Sequence, residues 1–395
     1  MTIKHLYPAV EPSLNLDFAN SKKLDSRITF TRGSTATYTD ESGIIRTAAQ
    51  DEARFDHDSD GNSLGLLIEE SRTNLFDQSE DLTTWTSNLY TKTNNQAISP
   101  DGTLNAASLV PNVGTTTQSS GRTVTQSAGN HVCSVFAKPN GLTVLKIRFS
   151  GSSYQAFFNL TGNGSVASQS NGTASISKRP DGWYRCVFVI NDSVGETAAW
   201  QLGHDDSSNV DGTNGFYIWG MQVEAGSFLT SYIPTSGSTV TRSADAASMT
   251  GTNFSSWYNQ SEGTVFYQGI MPYANVSGYP SIYRIGVSGQ NSNEIDLLRN
   301  PGGKRLNINV HSGGSTVYAV DVNPLPDNYK VAVGYETDNF NAASSGTLTG
   351  LDTSGAAPVG ADRFLIDHAN TRHHISRLTY YPVRLPDATL QALTL

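Results

Sequence analysis

The chain has 395 residues, and 26 Lys and Arg against 35 Asp and Glu give a formal net charge of −9. With no Lys/Arg run it lacks the electrostatic footprint that a phosphate backbone demands, so nucleic acid is not an expected partner. No apolar stretch approaches the roughly 18 residues that span a bilayer, and the N-terminus MTIKHLYPAVEPSLNLDFAN has no unbroken export core; the expectation is no membrane insertion and synthesis in the cytoplasm. Charged residues are only 15% of the chain while 36 glycines accompany abundant Ser, Thr and Asn, which favours strands and turns over helices. Cys133 and Cys186 form no C-x-x-C pattern, so neither zinc nor a disulfide framework is expected; both read as buried small hydrophobes.

Residues 1–71 contain only short apolar runs (LNLDF, ITF, GLLIE) between polar stretches, which predicts an extended N-terminal arm resting on other domains or on a neighbouring chain. From 72 to 246 strand-like runs recur at Val132 to Lys138, Thr143 to Phe149, Gln155 to Leu160, Trp183 to Ile190, Ala198 to Leu202 and Phe216 to Val223. In one of them Tyr184, Cys186, Phe188 and Ile190 alternate with Trp183, Arg185, Val187 and Val189, so both faces should be covered. TGNGS and SNGTAS suit hairpin turns, because such turns need positive φ.

The stretch TSGSTVTRSADAASMTGTNFSS reads as a linker, with the boundary near 246/247. Eight further strand runs fill 247–395: TVFYQGIM, SIYRIGVS, EIDLLR, KRLNINVHS, TVYAVDV, YKVAVGYE, RFLIDH and ISRLTYYPV. Only Pro386 to Leu393 looks helical, with Leu390 and Leu393 on one face and Asp387 in the first turn. The expected fold is all-β: an arm followed by two antiparallel β-sandwiches.

Several phrases resemble those of tailed-bacteriophage virion proteins. They are LDFANSKKLDSRITFTRGSTATYTDESGIIRTAA, RFDHDSDGNSLGLLIEESRTNLF with SEDLTTW, DGWYRCVFV, GFYIWGMQVEAGSFLTSYIPTSGSTVTRSAD and ISRLTYYPVRLPDATLQALT. The resemblance implies a jelly-roll, carbohydrate-binding-like module at 72–246 and a concanavalin A/laminin G-like sandwich at 247–395. It further implies attachment to other virion proteins through the arm at 1–71, a tail-fibre, head-fibre or decoration role, polysaccharide as ligand and a homo-oligomer, taken as a trimer. Alternatives are a purely structural capsid decoration or connector protein, and a polysaccharide depolymerase.

Against the depolymerase stands the strand Glu294-Ile-Asp296-Leu-Leu298. It resembles the E-x-D motif of glucanases on the concanavalin A-like sandwich, where two carboxyls work about 5–5.5 Å apart. Arg299 and Asn300 occupy the positions where an acid/base carboxyl should follow, so no enzyme activity is expected. Asp56-His-Asp58-Ser-Asp60-Gly61 opens like a calcium loop, but Leu67 stands where the bidentate Glu belongs, which leaves a plain acidic turn. Because sandwiches of the resembling type carry structural calcium, Asp205, Asp206 and Asp211, between two strands, form a candidate Ca2+ site. His373 and His374 are adjacent in a strand and face opposite ways, which disfavours shared ligation. Gly302-Gly303-Lys304-Arg305 is a turn and not a phosphate loop.

Sugar rings stack on aromatic faces, so exposed aromatics with polar neighbours are the natural binding candidates. In the middle sandwich these are Tyr154, Phe157 and Trp200, with Gln201 and His204 as hydroxyl partners. In the C-terminal sandwich they are Tyr273, Tyr279 and Tyr283, in a Pro/Gly/Ser-rich loop. Trp183 and Trp219 lie in dense apolar strands and are assigned to packing.

Overall fold

The computed structural model describes residues 10–395 apart from 87–88, 114–118, 151–152, 206–209, 272–277, 302–304, 323–327 and 367–371. It is all-β, and among the described residues every ladder between its strands is antiparallel. All eight C-terminal runs and all six middle runs read from alternation form strands.

In the middle unit a five-stranded sheet (Ser119–Thr125, Thr197–His204, Val144–Phe149, Gln155–Asn159, Ser165–Ser170) faces a six-stranded one. The second runs in the order Gly172–Lys178, Tyr184–Asp192, Gly129–Asn140, Gly215–Ala225, Leu104–Pro111 and Tyr90–Ile98. Their inward residues, including Phe149, Phe158, Trp200, Cys133, Cys186 and Phe188, make one apolar core. Both cysteines are free thiols, and burial pushes each thiol well above its ordinary range, which leaves them inert. Asn171 takes the positive φ (54°) expected of SNGTAS.

The C-terminal unit packs an eight-stranded sheet on a seven-stranded one. The helix Asp387–Thr394 closes the outer face of the former through Leu390, against Phe266, Ala332 and Ala343.

The N-terminal segment rests on the downstream domains, one of the two placements the sequence allows, but it does so as ladder strands of their sheets and not as an extended arm laid over them. Leu14–Asp17 and Ser63–Glu69 pair with Arg372–Tyr381, Phe55–His57 pairs with Ser63–Glu69, and Thr29–Thr31 pairs with Ala246–Thr250. Thus 10–71 completes both sheets of the C-terminal sandwich, and Leu14, Leu16, Phe18, Leu66 and Ile68 belong to its core. Short strands that are unstable alone gain ladder partners and burial there. The linker reading also fails: Val240–Arg242 pairs with Arg72–Asn74, and Ala246–Thr250 is an internal strand.

What joins the two units is a buried ionic network. The Asp245 carboxylate accepts from Arg32 (3.1 Å) and Arg54 (2.5 Å), and Arg54 also reaches Glu69 (2.7 Å), all four side chains being fully buried. Glu69 further accepts from the Ser231 backbone N–H and hydroxyl, with Arg372 at 3.2 Å and Arg242 at 3.6 Å. Asp56 is held by His374 Nε2 at 2.9 Å, with Arg372 beyond at 3.9 Å. The N-terminal segment, the segment returning from the middle sandwich and the last long strand are thereby locked together.

This network makes folding acid-sensitive. Burial opposes ionisation of Asp56, but the His374 hydrogen bond and charge and the Arg372 charge outweigh it and hold the carboxyl down at about 2. Glu69 is also held well below its ordinary value, burial being overcome by Arg242, Arg54 and Arg372. Depressed folded-state values stabilise above the unfolded carboxyl range near pH 4, and that contribution is lost as pH falls towards 2. Urea midpoints should therefore stay level from about pH 7 to 5 and drop between about 4 and 2; a level midpoint down to pH 2 would contradict the network's ionised state.

Candidate functional site

The structure divides the sequence-predicted binding residues rather than gathering them. On Thr197–His204, Trp200, Leu202 and His204 point inward and Gln201 outward, as a period of two requires. Trp200 is completely buried against Phe149 (5.0 Å between ring centroids), and its Nε1 donates to Gln126 (3.1 Å). His204 is also buried, with Nδ1 2.8 Å from the Tyr90 hydroxyl. Both are core groups, so Trp200→Ala is a stability variant and no probe of binding.

Gln201 and Phe157 do share the outer face, but Gln201 accepts from Ser119 (2.9 Å) and Phe157 has the Lys146 ammonium 5.3 Å from its ring centroid. Tyr154 donates its hydroxyl to the Asn191 carbonyl at 2.7 Å. Tyr283 is buried in the C-terminal core beside Tyr267, Tyr279 is 58% exposed, and Tyr273 lies outside the described residues.

Of the acidic candidates, Asp206 lies outside the described residues and Asp205 is half-buried. Asp211 spends both carboxylate oxygens on its own turn, accepting from the Thr213 and Asn214 N–H groups (2.8 Å each) and from the Asn214 amide (2.5 Å). Asp58 is likewise an ordinary turn residue, capping Asp60 and Asn62 (2.9 Å each).

A cleft of about 620 Å3 lies where sequence reasoning placed no site, within residues 22–57. One wall is the hairpin Ala36–Thr39 and Ile45–Ala48, whose turn is fixed by the Asp40 carboxylate accepting from Ser42 and Ile44 (2.9 Å each). Gly43 sits in that turn at φ 78°, and a Cβ there would come 2.4 Å from Pro180 Cγ, so only glycine lets the hairpin press on the middle sandwich. The opposite wall is Glu52 to His57.

Leu24, Ala53, Phe55 and the half-buried Tyr38 supply apolar and aromatic surface, while Asp40, Glu41, Glu52, Ser42 and Lys22 supply polar groups. Burial, then the nearby Glu52 and Asp40 charges, raises the Tyr38 phenol, so it remains a neutral donor. His57, only 6% exposed, places Nδ1 3.1 Å from the Thr39 carbonyl. A carbonyl only accepts, so Nδ1 carries a proton, and Nε2 is buried without a hydrogen-bond partner.

A second groove of about 490 Å3 opens on the outer face of the six-stranded sheet, between Thr173, Ser175, Val187 and Val189 and the 227–229 wall. Its one aromatic, Phe228, is buried with the Arg72 guanidinium 4.7 Å from its centroid. No ring face remains there for a sugar.

On the outer face of the C-terminal sandwich, Glu294 and Asp296 are both buried, and the next residue on that face is the half-buried Leu298. The third carboxyl that a glucanase site would need is absent from this strand. Arg284 Nε donates to Asp296 at 2.9 Å and stands 3.3 Å from Glu294. Burial first, and then the Glu294 charge, pushes the Asp296 carboxyl upward despite Arg284.

Comparison with known proteins decides neither the fold nor the function. No family model matches the chain, and no curated protein matches it. Among solved structures, the carbohydrate-binding CBM40 module of the Ruminococcus gnavus IT-sialidase, bound to α2,3-sialyllactose, is 16% identical with a TM-score of 0.30. That match covers 35% of this chain and 84% of the module. The receptor-binding domain of botulinum neurotoxin type G is 9% identical with a TM-score of 0.29, covering 38% of this chain and 39% of that one. The leech intramolecular trans-sialidase is 16% identical with a TM-score of 0.29, covering 34% and 23%. At these superpositions the likeness bears on neither ligand nor activity.

Proposed function

We propose that the chain is a non-catalytic glycan-binding structural protein of a tailed-phage virion, acting as several copies that present the cleft of residues 22–57 to an envelope polysaccharide. The virion assignment is supported by the resembling phrases, two of which, GLLIEESRTNLF and SFLTSYIPTSGSTVTRSAD, meet in the ionic joint through Glu69, Ser231, Arg242 and Asp245. They therefore belong to the scaffold and not to the ligand surface.

The observation that carries glycan binding is the cleft. Tyr38 and Phe55 offer ring faces for the C–H side of a sugar, beside the Glu41 and Glu52 carboxylates, which can accept hydroxyls, while Asp40 is taken up by its own turn and by Arg46. Repetition over an oligomer turns weak single sites into firm attachment.

Labelled full-length protein should bind intact host cells saturably, extracted envelope polysaccharide should compete, and no reducing ends should appear. Absence of saturable binding at micromolar protein would reject the glycan reading, and release of reducing sugar would restore the depolymerase.

A further inference from the structure

The outer face of the C-terminal sandwich carries a cluster that glycan binding does not use. Glu294 and Asp296 project from one strand, and His311 stands directly across from Glu294 on its neighbour, Arg305–Ser312. One donor atom from each of the three lies within 4.8 Å of the others. The two carboxyls are each only 3% exposed, while His311 is half-buried.

Acidic pairs on sheets are common, but two further facts set this one apart. Arg284 brings a single Nε–H to the pair and spends it on Asp296 Oδ1. Glu294 Oε2, 3.3 Å from the same nitrogen, is left buried with no hydrogen bond. An orphaned carboxylate oxygen inside the protein is costly. Second, His311 Nδ1 is 3.1 Å from the Thr316 hydroxyl. That contact orients the ring as outer partners orient ligating histidines, and leaves Nε2 as the donor for an ion.

We propose that Glu294, Asp296 and His311 form a binding site for a divalent first-row cation of the Zn2+ type. The donor set is one imidazole nitrogen and two carboxylates, which suits Zn2+ and falls short of the six to eight oxygens Ca2+ takes. Ligand distances near 2.1 Å put tetrahedral donors about 3.4 Å apart, so donors now within 4.8 Å of one another need close by up to about 1.4 Å. Bound there, the cation gives Glu294 Oε2 a ligand bond in place of its 3.3 Å approach to Arg284. With three protein ligands, the fourth position falls to water or to a ligand oxygen.

The test is calorimetric titration of the full-length, chelator-treated protein with ZnCl2, and separately with CaCl2. The expected result is one saturable Zn2+ site per chain and no saturable Ca2+ uptake at the same position. His311→Ala, at a half-buried residue, and Glu294→Gln should each weaken Zn2+ at least tenfold, with near-ultraviolet circular dichroism unchanged for His311→Ala. No saturable Zn2+ binding to the wild-type protein would overturn the proposal. So would binding that both variants leave intact, since the ion would then sit on other histidines.

Discussion

Replacing Asp245 with Ala should cost about 3–5 kcal/mol of folding stability in urea denaturation, the usual penalty for removing one partner of a buried ion pair. The loss comes from what remains. Arg32 and Arg54, both fully buried, would keep their charges without the carboxylate that now accepts from each, and the Glu69 N–H would lose its acceptor. Asp245→Asn keeps the shape but removes the charge, and should fall between the wild type and Asp245→Ala. Because Asp245 ties the N-terminal segment to the strand that begins at Ala246, the variant should also split a single unfolding transition into two. A loss below about 1 kcal/mol would mean that water reaches these arginines and that the joint is not closed.

Trp219→Ala should cost a comparable ~3–5 kcal/mol through the cavity it leaves. Alternation alone places Trp219 among apolar strand residues but does not say which side buries it. Gly220, at φ 64°, interrupts the Gly215–Ala225 strand, so Phe216 and Ile218 before it and Met221 and Val223 after it all face the sandwich core. Trp219 lies on the other side, against Tyr232 (4.5 Å), Phe136 (5.4 Å) and Ile45. Its burial thus depends on the returning segment and on the N-terminal hairpin. The variant should lower the stability of the joint first, seen as faster hydrogen exchange at Ala36–Thr39 before the sandwich core is affected. A stability change under about 1 kcal/mol would show that this outer cluster collapses without a cavity.

These two residues also show where the sequence is legible and where it is not. Strands such as Tyr184–Asp192 and Glu262–Ile270 announce themselves because alternation is local: each residue's face follows from its neighbours in the chain. The all-β class, both sandwiches and the closing helix follow from that signal. The joint does not, because Arg54, Glu69, Asp245 and Arg372 are charged residues far apart in sequence, each of which reads by itself as a solvated group. The only local hint is Glu69 directly after the apolar run GLLI, where a lone carboxylate needs a buried partner.

Trp200, His204 and Tyr283 turn out to be core groups for a related reason. Trp200 and Gln201 seem a natural pair by proximity, yet adjacent strand residues face opposite ways, and the inward phase belongs to Trp200. The cleft around Tyr38, Phe55 and His57 is not legible in the sequence because its walls come from two short polar runs in a stretch too poor in hydrophobics to read as folded. Those runs acquire shape only when their neighbours add strands to the C-terminal sandwich.

Glycan binding by this protein rests on the cleft. Its most direct test is the binding isotherm of full-length protein on envelope polysaccharide, with Tyr38→Ala and Phe157→Ala measured beside the wild type. The predicted result is a loss of at least tenfold, about 1.4 kcal/mol, for Tyr38→Ala and wild-type affinity for Phe157→Ala. Wild-type affinity for Tyr38→Ala, with the loss in Phe157→Ala, would move the ligand to the outer face of the middle sandwich and contradict the account.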